Sequence, residues 1–264
     1  MNSTGYADST SMKTIDLNSD MGEYETPEWL AREAQLMPLI TSVNIACGAH
    51  AGHPTLMRRT ARLAWEHNIA VGAHPGFPDT EDFGRRDRQT SAEEVESLIS
   101  TQLTTLADVL ASEQLTFTHV KLHGALYNLA ARDRVVAEAV ARSITSFNPH
   151  LLLFALAGSE LVKSGTTAGL AVVQEAFADR AYNSDGTLVP RSRPHALLQT
   201  EQQVRRRLCE ILNGSVTSID GQRIPIQADT LCVHTDSPQA VEFIQLIRQE
   251  IGSAGVRIAK PFQP

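Results

Sequence analysis

From Thr14 onward, short β-branched and apolar runs alternate with longer stretches whose apolar positions recur at helical spacing. Thr14–Leu17 predicts a first strand, and a helix is expected from Glu28 to about Met37. Further strands are predicted at Ser42–Ala46, Ile69–Ala73, His119–Leu122, Leu151–Leu156, Leu170–Glu175, Thr230–His234 and Val256–Ala259. Helical periodicity covers Pro54–His67, a segment opening at Ser91, Leu126–Ser146, Ser159–Thr166, Thr200–Asn213 and Pro238–Ile251. Pro54 suits a first helical position, and Ser91 with Glu94 three residues on forms a capping box. Asp220-Gly221, between two β-prone runs in Val216–Ile226, predicts a small hairpin added to the alternation.

Seven or eight βα units without a Pro/Gly/Ser-rich linker predict a single α/β domain over 14–264, behind a polar tail at 1–13. The strands are evenly spread, and no G-x-G-x-x-G or G-x-x-x-x-G-K-[ST] follows any of them. This favours a closed (βα) barrel of seven or eight parallel strands over an open doubly wound sheet, and lends no support to a dinucleotide or P-loop site.

Composition narrows the class. Of 264 residues 42% are hydrophobic and 20% charged, ordinary globular usage. The net charge of −7 argues against nucleic acid as a partner. The longest apolar run, Leu151 to Gly158, is too short for a bilayer, so no membrane association is expected. The N-terminus lacks a basic region followed by an apolar one, and a cytoplasmic location is expected. Three cysteines without C-x-x-C spacing predict neither a disulfide framework nor a structural zinc site.

Ionisable residues concentrate where predicted strands end, the end at which parallel barrels carry their sites. Asp16, Asn18, Asp20 and Glu23 follow the first strand; Asn44, Cys47, His50 and His53 follow the second; His74 closes the third. His119, Lys121 and His123 mark the fourth, Gln174 and Glu175 with Asp179 and Arg180 the sixth, and His234 and Asp236 the strand at 230. Alternation puts Asp16 and Asn18 on one side, and likewise His119, Lys121 and His123. Charge turned into a barrel is costly unless paired or ligated, so a dense polar site is predicted there.

Single motifs leave alternatives open. His50-Ala51-Gly52-His53 fits a shared metal or a base with its orienter. Lys121 fits a group that holds a carboxylate or phosphoryl oxygen, or a buried ion pair with Asp16 or Glu175. Cys47 reads as a nucleophile or as a small buried apolar side chain. Arg191 and Arg193 sit on a loop that closes over an anion or stays a solvated surface.

The segments IDLNSDMGE (15–23), NIACGAHAGH (44–53), VGAHPGFPD (71–79), FGRR (83–86), HVKLHGALYN (119–128), LAGSEL (156–161), EAFADRAYNSDGTLVPRS (175–192) and CVHTDSP (232–238) resemble the family of 5-oxoprolinase A subunits, also called the LamB/YcsF family. The resemblance runs in order from about residue 14 to 260. It implies a barrel of the glycoside-hydrolase and deacetylase type. It also implies ATP-dependent opening of 5-oxo-L-proline to L-glutamate, in a complex with subunits B and C. The chain departs from the family pattern at Met21 and Tyr24, at His53 where the family has Asp, and at Thr235 between His234 and Asp236.

Roles then follow from residue chemistry. Asp16, His50, His74, Lys121, His123 and Glu175 are the candidate catalytic groups, with imidazoles suited to general base work. Asn18, Asn44, Arg180, Arg191 and His234 are candidates for binding substrate or phosphate, and Asp20, His53 and Asp236 for a metal. ATP is expected to be handled at least partly by the partners, and a divalent cation such as magnesium suits the carboxylates. Two other readings stand beside this one. The first is a stand-alone metal-dependent deacetylase or amidohydrolase; the second is a non-catalytic subunit that binds the substrate.

Overall fold

The computed structural model describes residues 13–234 and 239–261. Its sheet is made of β1 (Thr14–Met21), β2 (Ser42–Ala46), β3 (Ala70–His74), β4 (His119–Lys121), β5 (Leu152–Leu156), β6 (Val172–Phe177), an excursion with β7 (Ser215–Thr217) and β8 (Arg223–Pro225), then β9 (Thr230–Cys232) and β10 (Arg257–Ile258). Strands β1 to β6 and β9 pair in that order, all parallel, and β9 pairs back onto β1 through Asp16–Thr230 and Asn18–Cys232. Seven strands thus close the barrel. The eighth, β10, only pairs with the start of β1 at Thr14 and Ile15. β7 and β8 form the expected antiparallel hairpin around Asp220-Gly221.

Helices α1 (Pro27–Leu36), α2 (Pro54–Glu66), α3 (Ala92–Ala111), α4 (Gly124–Arg132), α5 (Arg134–Phe147), α6 (Glu160–Thr167), α7 (Glu201–Leu212) and α8 (Ala240–Ser253) surround it. The capping box at Ser91 and Glu94 is present. The single helix expected over 126–146 is instead α4 and α5, because the Asp133 carboxylate accepts from the Val135 and Val136 amides and starts a new helix. The first strand continues four residues past the expected end at Leu17, since Asn18 and Asp20 satisfy their polar groups inside the barrel and Ser19 donates to the Val233 carbonyl. No helix among the described residues is long and apolar enough to cross a membrane.

One continuous apolar core lies between the barrel's outer face and the helices. Inside the barrel the apolar contribution is a small plug of Leu152, Phe154 and Val173. The remaining interior is polar. His119 stacks on Phe154 with ring centroids 4.2 Å apart and lies across Gly72. A Cβ at Gly72 would come 2.1 Å from His119 Nε2, so β3 needs a glycine where the imidazole crosses.

Candidate functional site

The strand residues facing the barrel axis stack in levels. At the lowest, the Asp16 carboxylate accepts from Thr41 Oγ1 (2.6 Å), Ser42 Oγ (2.7 Å) and Thr230 Oγ1 (2.6 Å). Burial raises its pKa to about 6, against the pull of these hydroxyls. Asp16 braces β1 against β2 and β9 and does not line the cavity above.

The middle level is a closed network. Asn18 Nδ2 donates to Glu175 Oε1 (2.9 Å) and Thr230 Oγ1 (2.8 Å), while Asn18 Oδ1 accepts from Asn44 Nδ2 (2.8 Å) and Lys121 Nζ (3.0 Å). Asn44 also donates to Asp20 Oδ1 (2.8 Å), and its Oδ1 accepts from His119 Nε2 at 2.9 Å. His119 is held neutral, its pKa pushed down to about 3 by burial and by Lys121 and His74. The Lys121 ammonium, 2% exposed, lies 3.0 Å from each of Asp20 Oδ1, Glu175 Oε1 and Cys232 Sγ. Burial opposes its charge, but Asp20, Cys232 and Glu175 hold its pKa well above the ordinary lysine value. Tyr127 Oη donates to the other Glu175 oxygen at 2.7 Å. The ion pair with Glu175 is therefore real, and Asp16 has no part in it.

The upper level carries Asp20, Glu23, His50, His74 and His123. Burial raises the Asp20 pKa, yet His74 and Lys121 outweigh it and hold this carboxylate well below the usual range. His74 Nδ1 donates to the Lys121 carbonyl (2.8 Å), and His123 Nε2 to the Phe83 carbonyl (2.8 Å). Phe83 presents that carbonyl from a left-handed backbone, φ 54°, with its ring stacked on Tyr24 at 5.1 Å. His50 lies flat on His123, centroids 3.7 Å apart. Burial pushes the pKa of His50 down, and burial with the neighbouring imidazoles does the same for His123.

Above these residues opens a cavity of about 510 Å³, lined by Asp20, Glu23, His74, Lys121, His123, Tyr127, Phe177 and His234, with Arg85, Arg132, Arg180 and Arg191 in its walls. His234 stacks on Phe177, and its Nδ1 donates to Asp179 Oδ2 at 2.8 Å. Against the effect of burial, His234 with Arg191 and Arg180 lowers the Asp179 pKa to about 2. Buried Arg180 donates to the Val189 carbonyl at 2.7 Å, tying the arginine loop to the rim.

The structure thus gathers Asp20, His74, Lys121, His123, Arg180, Arg191 and His234 around one cavity. Asn18, Asn44 and Glu175 lie beneath as a buried support. His53 stands apart: its side chain is 43% exposed and pairs with Glu25 at 3.1 Å, while His50, three residues earlier, is buried. Gly52 (φ 83°) turns the chain between them, so the two rings share no metal in this arrangement. Asp236 lies outside the described residues. Cys47 is buried with its thiol pKa pushed up to about 12 by burial, which fits a packed side chain and not a nucleophile. Tyr127, Arg85 and Arg132 carry no signal in the sequence that marks them for the site, and Glu23 and Asp179 stand out there only by their place at strand ends.

Residues 15–264 match the LamB/YcsF family. The chain is 44% identical over 250 residues to the 5-oxoprolinase A subunit of Halalkalibacterium halodurans, spanning 94% of this chain and 97% of that one. It is 47% identical over 247 residues to the protein of the same name from Coprothermobacter proteolyticus, spanning 93% and 95%. The crystal structure of the lactam utilization protein from Thermus thermophilus superposes with a TM-score of 0.83 at 40% identity, over 94% of this chain and 100% of that one. A protein from Agrobacterium tumefaciens C58, 14% identical with a TM-score of 0.59 over 96% and 90%, shares the fold alone. With the family match running through all seven barrel strands and the cavity they support, the chain belongs to the LamB/YcsF family.

Proposed function

We propose that this chain is the A subunit of an ATP-dependent 5-oxoprolinase, opening the lactam of 5-oxo-L-proline to L-glutamate with subunits B and C in the cytoplasm. The observation that carries the reading is a cavity with an ammonium at its base, an Asp–His pair on its wall and arginines around it, in a relative of proteins named for lactam utilization and 5-oxoprolinase.

A five-membered lactam is a poor electrophile, and hydrolysis requires water to add at the carbonyl carbon, the C–N bond to break and the nitrogen to gain a proton. Transfer of the ATP terminal phosphoryl group to the amide oxygen, with release of ADP, supplies the activation when the nucleotide is handled by the partner subunits. One water then adds, the C–N bond breaks to leave an acyl phosphate, and a second water releases phosphate and the glutamate carboxylate. The arginines suit an anionic, phosphorylated substrate: Arg180 and Arg191, in the cavity wall, would hold its carboxylate or phosphoryl oxygens. Asp179 accepts from His234 Nδ1, which leaves Nε2 as the nitrogen able to take a proton from water and return it to the leaving nitrogen. The Lys121 ammonium, kept charged by Asp20 and Glu175, supports negative charge developing on the tetrahedral oxygen. Tyr127 and Asn18 fix Glu175 and so hold the ammonium in place.

The test is glutamate release from 5-oxoproline by the purified chain, with and without ATP and with and without the B and C subunits. Release that needs all components supports the assignment, and its absence from the complete folded mixture overturns it. The second reading, a metal-dependent amidohydrolase acting alone, draws on the imidazole cluster around His74; it requires turnover without ATP or partners.

A further inference from the structure

Two ring nitrogens in the upper level face each other in a way that neutral imidazoles do not tolerate. His74 Nδ1 and His123 Nε2 each point at a backbone carbonyl, and a carbonyl only accepts, so each of these nitrogens carries its ring's hydrogen. In neutral rings that leaves lone pairs on His74 Nε2 and His123 Nδ1, only 3.0 Å apart. Asp20 Oδ2 lies 3.3 Å from the same His74 nitrogen. Glu23 Oε1 lies 3.6 Å from His123 Nδ1 and 3.6 Å from His50 Nε2. Neither Glu23 Oε1 nor either nitrogen of His50 has a hydrogen-bond partner among the described residues, although the His50 side chain is fully buried. Unpartnered acceptors converging in a buried space are repulsive unless a cation stands among them.

We propose that Glu23, His50, His74 and His123 form a binding site for one divalent first-row transition ion of the zinc type. One donor atom from each lies within 4.8 Å of the others. Bonds of about 2.0–2.1 Å in a tetrahedral site put neighbouring donors about 3.3–3.4 Å apart, and the separations of 3.0 and 3.6 Å bracket that edge. Three imidazoles and one carboxylate select such an ion over magnesium or calcium, which take oxygen ligands. The outer support is in place as well, because the remote N–H groups of His74 and His123 already donate to carbonyls, the arrangement that orients ligating histidines.

His74 Nε2 and His123 Nδ1 lie 3.0 Å apart, and Glu23 Oε1 lies 3.6 Å from His123 Nδ1, so these three donors already converge. His50 joins by turning, since its ring lies parallel to His123 and does not yet aim at the same centre. Neither nitrogen of that ring has a hydrogen-bond partner among the described residues, and the imidazole packs against backbone that only glycine permits, since a Cβ at Gly76 would come 2.9 Å from His50 Nδ1. The competing occupant of the gap is an added proton shared by His74 and His123.

The test uses the full chain, stripped with a chelator and titrated with Co²⁺ as a spectroscopic probe, followed by competition with Zn²⁺. The expected result is one ion per chain with visible d–d bands of four-coordinate intensity, displaced by zinc. Glu23→Gln and His74→Gln should each weaken binding at least about tenfold, with circular dichroism confirming the fold. His53→Ala, which alters the exposed imidazole paired with Glu25, should bind as the parent does. No stoichiometric uptake by the folded parent, or equal affinity in Glu23→Gln and His74→Gln, overturns the site and assigns the gap to a proton. Because binding is measured without substrate, failure here leaves the lactam reading standing, and the reverse holds too.

Discussion

Lys121→Met isolates the charge balance on which the barrel interior rests. The substitution keeps an unbranched side chain of similar length but removes the ammonium that contacts Asp20 and Glu175 at 3.0 Å. At an effective dielectric of about 20, each such contact is worth roughly 5–6 kcal/mol before the cost of desolvating the ammonium is subtracted. Breaking a buried pair by removing one partner typically costs about 3–5 kcal/mol, because the other charge stays behind. The side chain of Glu175 is fully buried and cannot reach water. The expected destabilisation is therefore about 3–5 kcal/mol, a fall in Tm of roughly 10 °C for a chain of this size. Lys121→Met combined with Glu175→Gln removes both charges while an amide oxygen can still accept from Tyr127 or Asn18. The double variant should recover at least about 1 kcal/mol relative to the sum of the singles. Urea unfolding followed by circular dichroism at neutral pH reads all four corners of the cycle. A single Lys121→Met cost below about 1 kcal/mol, or strict additivity, would refute the reasoning.

Gly72→Ala should lower stability by about 1–3 kcal/mol or more through overpacking, because the new methyl collides with His119 and breaks its bond to Asn44; thermal unfolding checks it. The Asp16 pKa of about 6, raised from 3.8, makes folding less favourable as pH rises. The unfolded chain releases its proton near pH 4 and the folded one near 6, so this penalty is absent below pH 4 and complete above 6. It amounts to about 3 kcal/mol, and Asp16→Asn should flatten that part of the unfolding profile. His234→Ala should cut glutamate release by about two orders of magnitude or more, and Asp179→Asn should reduce it through the loss of His234 orientation; near-normal rates in both would remove the Asp–His pair from the chemistry.

Much of this was legible in the chain because period two tells which face a strand residue takes. It correctly turns Asn18, His119 and Lys121 inward. Period two says nothing of depth, so the sequence alone makes Asp16 a catalytic candidate, although three hydroxyls claim it below the cavity and it is Asp20, flanked by His74 and Lys121, that reaches the wall. The end of β1 is hidden because Asn18, Ser19 and Asp20 weaken the strand signal and become favourable only when partners arrive from β2, β3, β4, β6 and the β9 segment. His50 and His53 were indistinguishable by spacing, and only the turn at Gly52 separates a buried ring from an exposed one. Tyr127 was read as an ordinary helical residue, since nothing local places the first turn of α4 over Glu175. Asp133 was missed as a boundary because apolar periodicity continues across it while its carboxylate caps α5.

The left-handed backbone at Phe83 has a consequence for conformational freedom. A bulky residue there sacrifices roughly 1–2 kcal/mol that a glycine would retain, so the turn is held by what it touches and not by local preference. One such contact is the His123 N–H on its carbonyl, and another is the stack with Tyr24. The turn's own bonds add to these, with the Gly84 N–H on the Asp79 carbonyl and the Asp82 N–H on Asp79 Oδ1. Further back, Gln102 grips both the N–H and the carbonyl of Gly76 and fixes the loop at that point too. A change at His123 is therefore felt at the Phe83 turn through the carbonyl the two share.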